Sequence, residues 1–161
     1  MGVQTERPSS KEIEAAVKDW GDMLFRLSFT MLGNQADAED AVSETIIKYI
    51  EKAPAFADKE HRKAWLIKVA SNKCRDMLRA DRRRRWVSLE DVTELCRQER
   101  DMDVMYELLN LPPKYRLAVY LHYVAGYKTA EMAGMLGISP AAARKRLEYG
   151  RKMLKISMGK E

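Results

Sequence analysis

Two cysteines, Cys74 and Cys96, are all that the 161-residue chain carries. Two thiols make neither a disulfide framework nor a zinc site, which points to a reducing compartment. Proline and glycine are also few, at 5 and 8, so collagen-like repeats, long flexible linkers and low-complexity segments are excluded. Asparagine is scarce and runs of β-branched residues are short, which argues against an all-β fold. No apolar stretch approaches the roughly 20 residues of a membrane-spanning helix. The segment Met1 to Lys11 is polar and lacks the apolar core of a secretory signal. These absences predict a cytoplasmic protein without a membrane span of its own.

Hydrophobic residues make up 46% of the chain, enough for a core, and charged residues 33%, high for a plain globular domain. The net charge of +5 is unevenly placed. Residues 34–60 carry 3 basic and 7 acidic groups, and residues 61–86 carry 10 basic and 2 acidic. Residues 87–107 return to 2 basic and 7 acidic, and residues 140–160 hold 7 basic and 1 acidic. Two cationic blocks are suited to neutralising a polyanion at two places. The acidic blocks would repel DNA and suit a basic protein partner.

The periodicity predicts helices throughout. Ser9 to Glu12 reads as a capping signal. Ile13, Val17 and Trp20 share a face, Gly21 and Asp22 are expected to reset the chain, and Leu24, Leu27 and Met31 resume a stripe that Gly33 ends. A helix from about Asp37 buries Ala38, Val42, Thr45, Ile46 and Tyr49 and stops at Ala53-Pro54. A long helix from about Glu60 to Arg83 has an apolar stripe through Leu66, Val69, Ala70 and Cys74. Its other face carries Lys63, Lys68, Asn72, Lys73, Arg75 and Arg79. Residues 87–101 read as a linker or partly helical connector. A short helix over Val104 to Leu109 comes next. Pro113 fits the first turn of the helix after it, in which Leu117, Leu121 and Val124 point inward.

The last third predicts a helix-turn-helix. Thr129 to Leu136 and Pro140 to about Lys155 are joined by Gly137-Ile138-Ser139. Gly137 supplies the positive φ of the turn, Ser139 the N-cap, and Pro140 the first helical position. Ala143, Leu147, Gly150 and Leu154 face inward. Arg144, Lys145, Arg146, Arg151 and Lys152 are left on the surface, as entry into a major groove requires. In the long helix, Asn72 beside cations suggests contact with bases as well as phosphate. Phe56, Trp65 and Trp86 are candidates to stack on unpaired bases, although Trp65 on its stripe reads more readily as core.

Two stretches resemble a known family. Asp37-Ala-Glu-Asp-Ala-Val-Ser-Glu44, Trp65-Leu-Ile-Lys-Val-Ala-Ser-Asn72 and Asp76-Met-Leu-Arg79 are similar to region 2 of a bacterial extracytoplasmic-function sigma factor. Leu111-Pro-Pro-Lys-Tyr-Arg116 and Ser139-Pro-Ala-Ala-Ala-Arg-Lys-Arg-Leu147 are similar to its region 4. The blocks fall in the family's order and cover most of residues 20–155. The resemblance implies an all-α fold of two small helical domains. They are a region 2 bundle over residues 11–86 and a region 4 helix-turn-helix over residues 103–158. The linker over 87–102 is 16 residues long and reaches at most roughly 55–60 Å when extended.

The resemblance further implies a transcription initiation factor. Its partners are core RNA polymerase, met through the clamp helices of the largest subunit and the flap of the second largest, promoter DNA, and an anti-sigma factor. Asp40, Ser43 and Glu44 match polymerase-contact positions. Phe56, Lys63, Lys68 and Asn72 match positions near the melted minus-ten element. Arg144, Lys145, Arg146, Glu148, Tyr149 and Arg151 match the face read against the minus-thirty-five element. Ser43 stands where the family usually has Gln. Ala142 and Ala143 replace Thr-Val, and Gly150 replaces Ala, so weaker packing of the recognition helix is expected.

Promoter melting requires no bond chemistry, so no catalytic residue, metal or cofactor is expected. Two other classes remain in view. A stand-alone helix-turn-helix regulator would bind duplex operator DNA without polymerase, but needs a ligand or dimer domain where this chain has a cationic helix. A metal nuclease would use Asp37, Glu39, Asp40 and Glu44, but no His or Lys is suitably placed beside them; His61 and His122 are isolated.

Overall fold

The computed structural model describes residues 7–80, 87–95 and 102–158, and every regular element among them is helical. Helix α1 spans Ser10–Leu32, α2 Gln35–Lys52, α3 Lys59–Ala80, α4 Leu89–Leu95, α5 Met102–Asn110, α6 Pro113–Val119, α7 Thr129–Leu136 and α8 Pro140–Met158. Arg82 to Arg85, Trp86 and Cys96 lie outside the described residues.

Local chemistry sets most helix ends. The Ser9 hydroxyl accepts from the Glu12 amide at 3.2 Å and opens α1. Helix α1 closes at Gly33, whose φ of 77° is left-handed. Asn34 then caps α2, accepting from the Asp37 amide at 2.9 Å, so α2 starts two residues ahead of the Asp37 predicted. Gly21 and Asp22 do not interrupt α1. Helical glycine costs about 1 kcal/mol, and the continuous burial of Ala16, Leu24, Leu27 and Met31 outweighs it.

Residues 87–95 are less linker-like than their composition suggested. The Ser88 hydroxyl accepts from the Asp91 amide at 3.2 Å and starts α4, and Val92 is fully buried. Its side chain packs with Phe29 of α1, Ala38 of α2 and Leu109 of α5.

Helix α6 runs into a π turn over Tyr120–Val124. The Ala125 amide donates to the Tyr120 carbonyl at 3.0 Å, five residues back. The extra residue in this turn rotates the side chains at its end outward. Val124, predicted inside, is therefore 62% exposed, while Leu117 and Leu121 are buried as expected.

Helices α1 to α3 pack around Leu24, Leu27, Tyr49, Leu66, Ile67 and Ala70. The same core continues without a break into Leu117, Leu121, Tyr127, Met132 and Leu136 of the C-terminal half. A smaller core of Leu108, Leu111, Val119 and Leu147 joins α5, α6 and α8. The two halves of the sequence are thus folded against one another.

Candidate nucleic-acid interface

Helix α8 is the second helix of the helix-turn-helix. Gly137 has a φ of 66°, and the Ser139 hydroxyl accepts from the Ala142 amide at 3.1 Å. Ala143 and Leu147 are buried, whereas Arg144, Lys145, Glu148, Tyr149 and Arg151 are exposed. Arg146 is half-buried. At about 100° per residue, Arg144 and Arg151 share one flank of α8 and Arg146 lies on the other.

Two tyrosines outside the helix flank this surface. The Arg151 guanidinium donates to the Tyr123 hydroxyl at 3.1 Å. The Tyr149 ring lies 4.7 Å from that of Tyr115, whose ring also carries the Lys114 ammonium at 5.0 Å. Between them, α8 crosses α6 at Gly150. A Cβ there would lie 2.8 Å from Val119 Cγ2 and 3.4 Å from the Tyr115 carbonyl oxygen. Gly150 permits a close approach of the two helices, so the expected weaker packing is corrected at this position.

Helix α3 carries the second cationic surface. Lys68, Asn72, Arg75 and Arg79 recur at helical spacing along one stripe. Arg75 donates to the Asn72 side-chain oxygen. Burial, followed by the charges of Arg79 and Arg146, pushes the Arg75 guanidinium below its usual pKa.

Beside this stripe, Phe56 sits in an aromatic nest. Its ring stacks at 6.3 Å on Tyr49 and meets Trp65 at 5.7 Å and His61 at 5.3 Å edge-on. The His61 Nδ1 accepts from the Ala57 amide at 3.2 Å, and Asp58 accepts from the His61 amide at 2.8 Å. These bonds hold the loop 53–58 against α3. Trp65 is half-buried, packed against the main core on one side and part of this nest on the other. Lys63 is separated from the group. It points to the C-terminal half, with its ammonium 5.4 Å from the centre of the Tyr127 ring. Burial, with Glu60 and Glu131 nearby, pushes the Tyr127 hydroxyl up to about 12.

On α2, Asp40, Ser43 and Glu44 are all exposed on one outer face. Ile47 lies among them at helical spacing and is 46% exposed. An apolar side chain within an acidic face was not singled out from the sequence, although its spacing of three from Glu44 and four from Ser43 was readable. A cleft of about 270 Å³ runs between this face and α3, lined by Glu44, Ile47, Val69, Asn72 and Asp76. Among the described residues, no group of three or more His, Cys, Asp or Glu side chains is placed to hold a metal ion. No helix among them is long and apolar enough to cross a membrane.

The sigma-70 region 2 family model matches residues 16–84, and the sigma-70 region 4 model matches residues 101–154. RNA polymerase sigma factor CarQ of Myxococcus xanthus is 31% identical over 137 residues, 80% of this chain and 79% of its own length. The chain belongs to the extracytoplasmic-function family of RNA polymerase sigma factors. The family's sigma factor SigE of Mycolicibacterium smegmatis is 29% identical over 99% of the chain. The chain spans 65% of that relative's length. The sigma factor RpoE of Bartonella quintana, solved in complex with the anti-sigma factor NepR, shares the fold. Its TM-score is 0.73 at 16% identity, over 94% of this chain and 99% of that one. In this sigma factor, the region 2 match takes in most of α1 and all of α2 and α3, and the region 4 match takes in α5 to α7 and most of α8.

Proposed function

We propose that this chain is a transcription initiation factor that binds core RNA polymerase and directs it to promoters. The observation that carries this reading is the presence, in one chain, of a cationic helix beside an aromatic nest and a helix-turn-helix with a cationic second helix. The first serves the minus-ten element. Phe56 and Trp65 offer ring faces to unpaired bases, and Lys68, Asn72, Arg75 and Arg79 track the strand. The second serves the minus-thirty-five element, with Arg144, Lys145, Glu148, Tyr149 and Arg151 outermost and Arg146 at the flank.

The acidic face of Asp40, Ser43 and Glu44, with Ile47 within it, is the docking surface for the polymerase clamp helices. Charge complementarity steers the encounter and the apolar side chain supplies contact area. The domain limits that go with this reading are 11–86, 87–102 and 103–158. The factor works where the polymerase does, in the cytoplasm, and adds no bond chemistry of its own. An anti-sigma factor is a further partner, in keeping with the NepR complex of the Bartonella relative.

Co-purification tests the reading. Tagged chain incubated with core polymerase is expected to emerge as a one-to-one complex, and to bind promoter duplex weakly when alone. Tight duplex binding by the free chain with no polymerase complex would favour a stand-alone regulator instead.

A further inference from the structure

The last turn of α1 is held from outside its own half. The Arg116 guanidinium of α6 is 8% exposed and donates through Nη1 to the carbonyls of Thr30 and Met31, each at 3.0 Å. These are among the carbonyls a helix leaves without intrahelical partners, at the negative end of its dipole. Helix α1 has no basic residue in its own last turn. Its cation is brought in from 85 residues further along the chain.

The connector clasps the same turn. The Ser88 amide donates to the Gly33 carbonyl at 2.9 Å. The Asp91 carboxylate accepts from the Gln35 amide at 2.8 Å. Gly33 leaves room for Val87, whose Cγ2 would lie 2.8 Å from a Cβ at that position. The turn over residues 30–35 is therefore gripped by both the connector and the C-terminal half.

This closed arrangement does not fit the two-element role proposed above, on which the inference rests. A compact chain of this length has a radius of gyration of roughly 15 Å and a width of roughly 40 Å. The minus-ten and minus-thirty-five elements are about 25 base pairs apart, or roughly 85 Å along the duplex. The halves must part before both elements are engaged. Apolar contact between them is not directional, whereas the Arg116 bonds have one geometry and are lost on opening.

We infer that Arg116 is a self-capping latch: it fastens the helix-turn-helix half onto the end of α1 in the free chain, and its release from the Thr30 and Met31 carbonyls lets the halves separate. The closed form is thus the resting state, and every productive encounter with polymerase includes the opening of this contact. The fraction of molecules already open scales the apparent affinity for polymerase.

Distance measurements on the free, full-length chain test the latch without polymerase or DNA. Spin labels at Glu39→Cys on α2 and Lys152→Cys on α8, in a Cys74→Ala, Cys96→Ser background, report the separation of the halves. The parent is expected to show one short, narrow distribution. Arg116→Ala is expected to lower the closed-to-open ratio on the order of tenfold, the worth of such charge-assisted bonds, with helix content retained by circular dichroism. An unchanged short distance overturns the latch. If Arg116→Ala loses helix content, Arg116→Lys decides the matter. It keeps the charge and most of the volume but not the forked geometry, and a longer, broader distribution supports the latch while the parent distribution overturns it. Binding to core polymerase is a separate arm. Tighter binding by the opened variant supports both the latch and the initiation-factor reading. Opening in a chain that never binds polymerase upholds the latch and removes the reading.

Discussion

Gly150 of α8 lies so close to Val119 of α6 that a methyl group on the glycine would come within 2.8 Å of the valine Cγ2. The contact sets how deeply the recognition helix seats, and hence how far Tyr149 and Arg151 stand from Tyr115 and Tyr123. Gly150→Ala gains helix propensity of about 1 kcal/mol but overpacks a site whose neighbour is stiff at χ1. A net destabilisation of about 1 kcal/mol is expected, measured by urea unfolding. Adding Val119→Ala should turn the glycine replacement stabilising, a sign change that a double-mutant cycle detects.

Lys63 and Lys68 lie on the same helix, and their replacement should have different consequences. Lys63 rests over Tyr127, so Lys63→Ala is expected to cost about 0.5–1 kcal/mol of folding stability and to have little effect on melted DNA. Lys68 is exposed on the Asn72 stripe. Lys68→Ala should leave the melting temperature unchanged and weaken binding to single-stranded minus-ten oligonucleotides, with a shallower salt dependence. Equal DNA effects at the two positions would count against the division of the α3 surface.

The outer face of α2 predicts a clean separation of folding from docking. Asp40→Arg combined with Glu44→Arg changes only exposed side chains, so stability should stay within about 0.5 kcal/mol. Binding to core polymerase should be lost in a pull-down. Ile47→Ala should weaken it by about fivefold, the equivalent of roughly 1 kcal/mol of apolar contact. Unaltered binding by the double arginine variant would move the docking site elsewhere.

Burial pushes the Cys74 thiol up from 9.0 to about 12. A group whose folded pKa is raised contributes its full stability below the unfolded pKa and loses it as the pH climbs to the folded value. Thermal stability should therefore be insensitive to this group below pH 9 and fall between pH 9 and 12. Cys74→Ala should flatten part of that decline. The Tyr127 hydroxyl, raised from 10.0 to about 12, adds to the same alkaline loss. In the native protein at neutral pH, Cys74 should react with thiol reagents only on unfolding.

Features set by neighbouring residues were readable from the sequence. Ser9, Gly137, Ser139 and Pro140 mark helix ends through local hydrogen bonds and permitted φ values, and each does so in the structure. Ser88 with Asp91 carried the same kind of capping signal, hidden within an acidic segment that read as connector. Features created by tertiary contact were not readable. Gly21 looks like a breaker until the core on both sides of it is known. The π turn that exposes Val124 leaves no mark in the hydrophobic period. The buried role of Arg116, between Tyr115 and Leu117, has no local signal, because its acceptors lie 85 and 86 residues away. Among the candidate site residues, Asp40, Ser43 and Glu44 were matched through the family resemblance, and helical spacing puts them on one exposed face. Lys63 was placed with Lys68 through the same resemblance, and only the packing of α7 and its preceding loop separates them.

Transcription by core polymerase from a library of bacterial promoter fragments, with start sites mapped in the presence and absence of the chain, tests the account most directly. The prediction is a set of new start sites, each preceded by two sequence elements at one fixed spacing and lost when Asp40 and Glu44 are both replaced by Arg. Start sites identical to those of core polymerase alone would contradict it.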